Sequence, residues 1–375
     1  MHARIDVNQQ PIGSVPAIVF EECELKAAAR LAKTKGAGKA KAKSATRRRE
    51  VKVGGKRVKT IDVHCHAVIP EALALLPPDE AKGIFPRTKG AQQFLINLDE
   101  RLAGMDAQGV DMEVLSINPW WYRKERELAA KIIQMQNEGL AALCAKQPDR
   151  LAAFASLSLQ FPDLAVQQLD DAVRKYGLKG AAIGGSVGGV DFSEPQFHPV
   201  WAKAEELGVT LFIHPQSTPQ LASRFKGNGW LSNVIGNPLD TTIALQHLIF
   251  EGLFDKYPRL KVCAAHGGGY LGSYAPRSDH GCFISPQNCN PNIVLKKKPT
   301  EYLNQIFFDA LVFTPEALRH LVAQVGASQV VIGTDHPIPW EEHPVDHIMA
   351  TKTLSDEQMV AILGGNAAKP LNIKA

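Results

Sequence analysis

Five residues in this chain are chemically conspicuous because each stands at the end of a short apolar run. They are His64 and His66 in IDVHCH, His214 in LFIHP, His266 in KVCAAHGGG and Asp335 in VVIGTDH. Imidazole nitrogens and carboxylate oxygens together suit Zn²⁺ or another borderline divalent ion such as Mn²⁺. His64 and His66 are two apart, so on a strand both imidazoles emerge on one side while Cys65 takes the other. His214 and Asp335 complete a set of three histidines and one carboxylate, and His266 arrives beside it. Buried without a common partner, such groups would each cost roughly 2–7 kcal/mol, so a shared cation is the economical explanation.

The elements that would carry these residues recur along the chain. Eight β-rich runs, at 59–66, 111–117, 150–159, 179–185, 208–214, 260–266, 305–311 and 329–335, alternate with stretches of helical periodicity. That alternation predicts an α/β fold, a (β/α)8 TIM barrel, whose C-terminal strand ends open on one face and gather side chains from distant sequence. A doubly wound open sheet would place a Gly-rich phosphate turn after an early strand. Here the first strand ends in His-Cys-His, and GGSVGG (184–189) and GGG (267–269) lack the GxGxxG spacing.

Of the 375 residues, 45% are hydrophobic and 21% charged, which excludes collagen-like, disulfide-scaffold and wholly disordered chains. The net charge of +4 is unevenly spread, because residues 1–60 hold 15 Lys and Arg against five Asp and Glu. Two segments are therefore expected: a basic, largely flexible N-terminal extension over 1–58 and the barrel over 59–375. The run KTKGAGKAKAK (33–43) could neutralise phosphates, but no aromatic residue interleaves to stack on bases, so nucleic acid is not the expected partner. No stretch approaches the roughly 20 apolar residues of a membrane span. The six cysteines show no CxxC pair and are read as reduced thiols, which with the missing signal segment predicts a cytoplasmic protein.

With these motifs in order, the body from about Thr60 to Leu371 resembles the amidohydrolase superfamily, and within it the decarboxylase branch typified by 2-amino-3-carboxymuconate-6-semialdehyde decarboxylase. The matching text is IDVHCH (61–66), LFIHP (211–215), FDKYPRLKVCAAHGGG (254–269), FFDALV (307–312) and GTDHPIP (333–339). The resemblance implies that His64, His66, His214 and Asp335 are metal ligands and that His266, with Asp335, is catalytic. It also implies substrate-binding roles for Arg277, Trp230 and Arg101, with Arg277 reaching into a neighbouring subunit and so a homodimer or higher homo-oligomer. Strand four offers no bridging lysine or glutamate at its C-terminal end, since Lys179 stands at the opposite end, so a single metal is expected.

Two chemistries fit such a site. One is non-oxidative decarboxylation of an aromatic or unsaturated carboxylic acid of aromatic catabolism. The other is hydrolysis or hydration, of a C–C, amide or lactone bond, by metal-activated water. Fold alone cannot choose between them. His336 and Ile338 stand where the typical decarboxylase has aromatic residues, which predicts an altered pocket wall. The cluster NPWWYR (118–123) is expected to line the mouth.

Overall fold

A computed structural model of the protein describes residues 48–84, 97–289 and 291–374. The chain divides at Ala45/Thr46 into two units, and everything below belongs to the second. Eight parallel strands form in chain order: β1 (Ile61–His66), β2 (Met112–Ser116), β3 (Leu151–Ala153), β4 (Gly180–Ile183), β5 (Thr210–Ile213), β6 (Lys261–Ala264), β7 (Ile306–Asp309) and β8 (Val330–Val331). Hydrogen-bonded ladders join β1 to β3 and β4 to β8. Parallel bridges Ala155–Ala181 and Asp62–Ile332 close the two remaining seams. The cylinder is therefore complete, as the eight apolar runs predict.

Helices fill the connections: α1 (Leu98–Gln108), α2 (Arg126–Lys146), α3 (Pro162–Arg174), α4 (His198–Leu207), α5 (Gly236–Phe250), α6 (Leu271–Ile284), α7 (Pro315–Val325) and α8 (Pro344–Ala350). Their starts are marked in the sequence. Proline opens α3, α7 and α8, where its missing N–H is no loss, and the Thr314 hydroxyl accepts from Ala317 N to cap α7. Inside the barrel Ile61, Val63, Val114, Phe154, Phe212 and Cys263 pack with Ala367 and Leu371 from the C-terminal segment. This apolar plug fills one end of the cylinder and leaves the other to polar groups.

Residues 48–58 depart from the expected flexible extension. Lys52–Val53 and Lys56–Arg57 pair as an antiparallel hairpin, and Val51, Val53 and Val58 join the main core. Arg57 holds Asp111 with two hydrogen bonds of 2.8 and 2.7 Å, and Arg48 reaches the same carboxylate. The ordered body thus begins about ten residues before the sequence-based boundary, because three valines and an arginine supply something to bury. Residues 1–47 of the predicted extension lie outside the described residues.

The thiol expectation is also corrected. Cys282 near the end of α6 and Cys289 in the following turn are disulfide-bonded, with Cα atoms 4.9 Å apart. Cys65, Cys144 and Cys263 are free. Among the described residues no helix is long and apolar enough to cross a membrane.

Candidate active site

The five conspicuous residues converge at the C-terminal end of the barrel. His64 and His66 come from β1, His214 follows β5, His266 follows β6 and Asp335 lies four residues beyond β8. A register shift in the pairing of β1 with β2 falls between Asp62 and Cys65. It lets Val63 stay in the inner core while the next ring, His64, also turns inward, and Cys65 packs outside with the helices. Such bulges re-aim side chains beside functional sites.

The rings stand close. Centroids of His66 and His214 are 4.6 Å apart, those of His64 and His214 4.9 Å, and those of His64 and His266 5.0 Å. Asp335 Oδ1 lies 2.5 Å from His66 Nε2, 3.2 Å from His64 Nε2 and 3.8 Å from His214 Nε2. One ligand atom each from His64, His214, His266 and Asp335 falls within 4.8 Å of the others. His64 Nε2, both ring nitrogens of His214 and His266 Nδ1 are buried without a hydrogen-bond partner. Ring nitrogens that present lone pairs to one centre are what a cation would satisfy, so the residues present fit one divalent metal ion.

Electrostatics agree. Burial pushes His66 down and His214 well down, keeping both neutral and able to donate a lone pair. Burial also opposes ionisation of Asp335, yet His64 and His66 outweigh it and hold its carboxyl well below the usual range. His64 is the exception: burial would lower it, but Asp335 and Asp309 together raise it to about 10. His266 falls to about 4, first through burial and then through the neighbouring His64.

Two buried acids that sequence reasoning passed over lie beside this cluster. Asp309, at the end of β7, lies 2.6 Å from His64 Nδ1 and accepts from the backbone N–H groups of His266 and Gly267 at 2.9 and 2.8 Å. Glu113 in β2 lies 2.5 Å from Arg101 Nη1 and 2.6 Å from His336 Nδ1. Burial would raise Glu113, but His336 and Arg101 bring it down to about 2. Both could have been suspected as acids inside strand-like apolar runs, IFFDAL and MEVLSI.

Residues 61–373 match the amidohydrolase family. The chain belongs to the amidohydrolase superfamily. This amidohydrolase is 33% identical over 278 residues to the 2-amino-3-carboxymuconate-6-semialdehyde decarboxylase of Dictyostelium discoideum, covering 73% of this chain and 76% of that one. It is similar to a solved 2,6-dihydroxybenzoate decarboxylase complexed with 2,6-dihydroxybenzoate, with 29% identity, a TM-score of 0.73, and 84% and 100% of the two chains covered. A dihydroxybenzoic acid decarboxylase from a Polaromonas species, solved with bound manganese and the inhibitor 2-nitroresorcinol, matches at 25% identity and a TM-score of 0.72, covering 84% and 97%.

The amidohydrolase places its remaining candidate residues unevenly. Arg101, expected to hold a substrate carboxylate, is 3% exposed and ion-paired with Glu113, and its other nitrogen donates to the His66 carbonyl. Its charge is compensated inside the fold, and it braces the strand that carries His64 and His66. Arg277 is exposed along α6, lining an outer cleft with Gln246, Phe250 and Tyr274. Trp230 follows β5, is 51% exposed and stacks on Trp340 at 5.7 Å.

One reading of the mouth is corrected. Trp121 is fully buried with its indole N–H donating to the Leu157 carbonyl, so it packs a loop onto the barrel and does not line the opening. His336 Nδ1 faces the Glu113 carboxylate at 2.6 Å. The end of β4 is Gly184–Gly185, approached by Tyr122 Oη, to which Gly184 N donates, and by the Asp240 carboxylate.

Proposed function

We propose that this amidohydrolase is a metal-dependent, non-oxidative decarboxylase acting on an aromatic or unsaturated carboxylic acid. The observation that carries the reading is the cluster of His64, His214, His266 and Asp335, with four histidine ring nitrogens buried without a hydrogen-bond partner, in a chain whose relatives are named decarboxylases. His64, His66, His214 and Asp335 would hold the ion. Bound there, a divalent cation supplies a fixed positive centre for substrate oxygens. The His-rich donor set favours Zn²⁺, and the manganese-bound Polaromonas structure makes Mn²⁺ the alternative.

The chain's own residues would do the rest. Asp309 fixes the tautomer of His64 by accepting from Nδ1, leaving Nε2 toward the centre. His266, with Nδ1 buried and unpartnered, is the group placed to carry a proton to the ring carbon that loses its carboxylate, with Asp335 assisting. The proton forms the new C–H bond, the electron pair of the broken C–C bond stays with the ring, and neutral CO2 departs. Trp230 would flank the substrate.

Arg277 would bind a second anionic group across a homodimer interface. Supporting this, it is exposed on α6 beside Tyr274, Phe283 and Ile284, which are 61, 83 and 78% exposed, an apolar strip that a second copy would cover.

The test is CO2 release from a panel of hydroxybenzoates and muconate-type acids, with metal quantified per chain. Release of CO2, abolished in His266→Ala, supports the reading. An acid product that retains the labelled carboxylate would establish hydrolysis instead.

A further inference from the structure

Among the described residues six other than glycine adopt positive φ, and five of them crown one arc of the barrel. Ser217 and Trp230 follow β5, His266 follows β6, Phe313 follows β7 and Asp335 follows β8. Two of these, His266 and Asp335, belong to the active site. Left-handed backbone at bulky residues costs of order 1–3 kcal/mol each and persists where the surroundings impose it, most often at functional sites. For Trp230 (φ 50°) and Phe313 (φ 67°) the surroundings offer little burial in return, because the side chains are 51% and 54% exposed.

The two rings are aimed at a third. Trp340 stacks on Trp230 with centroids 5.7 Å apart and planes 11° from parallel, and Phe313 approaches Trp340 at 6.0 Å and 55°. Trp340 is tied to the ligand Asp335 by a short backbone relay: Ile338 N donates to the Asp335 carbonyl at 2.9 Å, and Trp340 N donates to the Ile338 carbonyl at 2.8 Å. Phe313 is anchored through its neighbour Val312, whose methyl group packs so closely on Gly267 that a Cβ there would lie 2.6 Å from it. Gly267 adjoins His266. Trp340 and Phe313 are thus each fixed by a few residues to a group of the active site.

We infer that Trp340 and Phe313 are specificity-determining residues that, with Trp230 behind them, form an aromatic wall against which the planar ring of the substrate lies. The proposal deepens the decarboxylase reading and rests on it for the identity of the ligand. The Trp230–Trp340 spacing leaves no room for a third ring between them, so the substrate ring takes an outer face or edge of the cluster. Offset or edge contacts with such a surface favour a flat, unsaturated acid over a puckered one of the same charge.

The experiment is calorimetric titration of the metal-loaded, full-length protein with 2-nitroresorcinol, a planar probe, and with cyclohexanecarboxylate, a saturated one. Trp340→Leu should weaken 2-nitroresorcinol about three- to tenfold, Phe313→Leu about threefold, and leave cyclohexanecarboxylate within twofold. Trp340→Phe should restore most of the affinity, and the KM for a planar acid substrate should rise in both leucine variants with kcat little changed. Equal weakening of both probes, or no weakening of the planar one, would overturn the proposal. Should Trp340→Leu fail to fold, Phe313→Leu carries the same contrast. If no acid yields CO2 with the wild-type protein, the decarboxylase reading fails, and the two-probe contrast still decides the wall.

Discussion

His64 Nδ1 lies 2.6 Å from Asp309 Oδ2, with both side chains fully buried. One carboxylate thereby sets the orientation of a ring from the opposite end of the sequence and receives the backbone N–H groups of His266 and Gly267. Asp309 touches no substrate atom in the proposed scheme, so its effect passes through the ligand. Asp309→Asn should weaken the metal about 10- to 100-fold. Metal content after dialysis against a graded chelator series, alongside turnover restored by excess metal, checks this. Unchanged metal retention would remove Asp309 from the site's support.

Glu113 makes the analogous prediction on the other side of β1. It is buried and shared by Arg101 and His336, so removing its charge strands a guanidinium in a dry environment. Glu113→Ala should destabilise the fold by about 3–5 kcal/mol. The double variant Glu113→Gln/Arg101→Met, which removes both charges, should recover part of that loss. Denaturant unfolding of the three proteins measures it, and additive losses in the double variant would exclude a coupled pair.

The ligand set itself predicts a graded pattern. His214 has both ring nitrogens buried without partners, so no protein hydrogen bond is lost when it is replaced. His214→Ala should release the metal and abolish turnover while the apoprotein keeps its thermal stability within a degree or two. A variant that binds metal normally would show that His214 is a core histidine.

How much of this was legible in the sequence follows from the kind of signal each residue leaves. Strands and the converging histidines and aspartate were readable because polar residues ending apolar runs break a pattern, as in IDVHCH and VVIGTD. Trp121 was misplaced, and Arg101 was read without its buried partner, for a physical reason. A long polar or amphipathic side chain serves a ligand and a buried partner equally well, and which it meets depends on tertiary neighbours such as Glu113 or the Leu157 carbonyl. The β1 register shift and the positive φ of Phe313 leave no trace in residue type at all. The body's true start was missed because a basic run conceals Val51, Val53 and Val58, whose burial appears only once β1 and β2 are assembled.

That boundary is testable by truncation. Deleting residues 1–46 should leave the melting temperature unchanged, since the body is a separate unit from Thr46 onward. Deleting residues 1–58 removes three buried valines and the Arg57 bonds to Asp111, a loss of roughly 4 kcal/mol and on the order of 10 °C in Tm. Calorimetry of the two truncations distinguishes them, and equal melting temperatures would restore the boundary at residue 58.

Asp240 predicts a pH dependence away from the ligands. Its carboxyl is 6% exposed, accepts from Gln216 N at 3.0 Å and stands where a Cβ on Gly185 would collide with it. Burial raises it to about 6, against the Gln216 hydrogen bond that lowers it, with Asp191 adding to the rise. The folded protein therefore holds this proton more tightly than the unfolded chain, whose carboxyl titrates near its ordinary 3.8. Between about pH 4 and pH 6 the folded state binds more protons, so this group's contribution to stability falls as pH rises and then levels off. Asp240→Asn keeps an acceptor for Gln216 and removes the ionisation. Its stability should match the wild type near pH 4 and exceed it above pH 6, by at most about 3 kcal/mol for a shift of two units. Denaturant unfolding of both proteins from pH 4 to pH 8 gives the difference curve. A variant that is less stable at pH 8 than at pH 4, relative to the wild type, would mean that the ionised carboxylate has a partner the fold depends on.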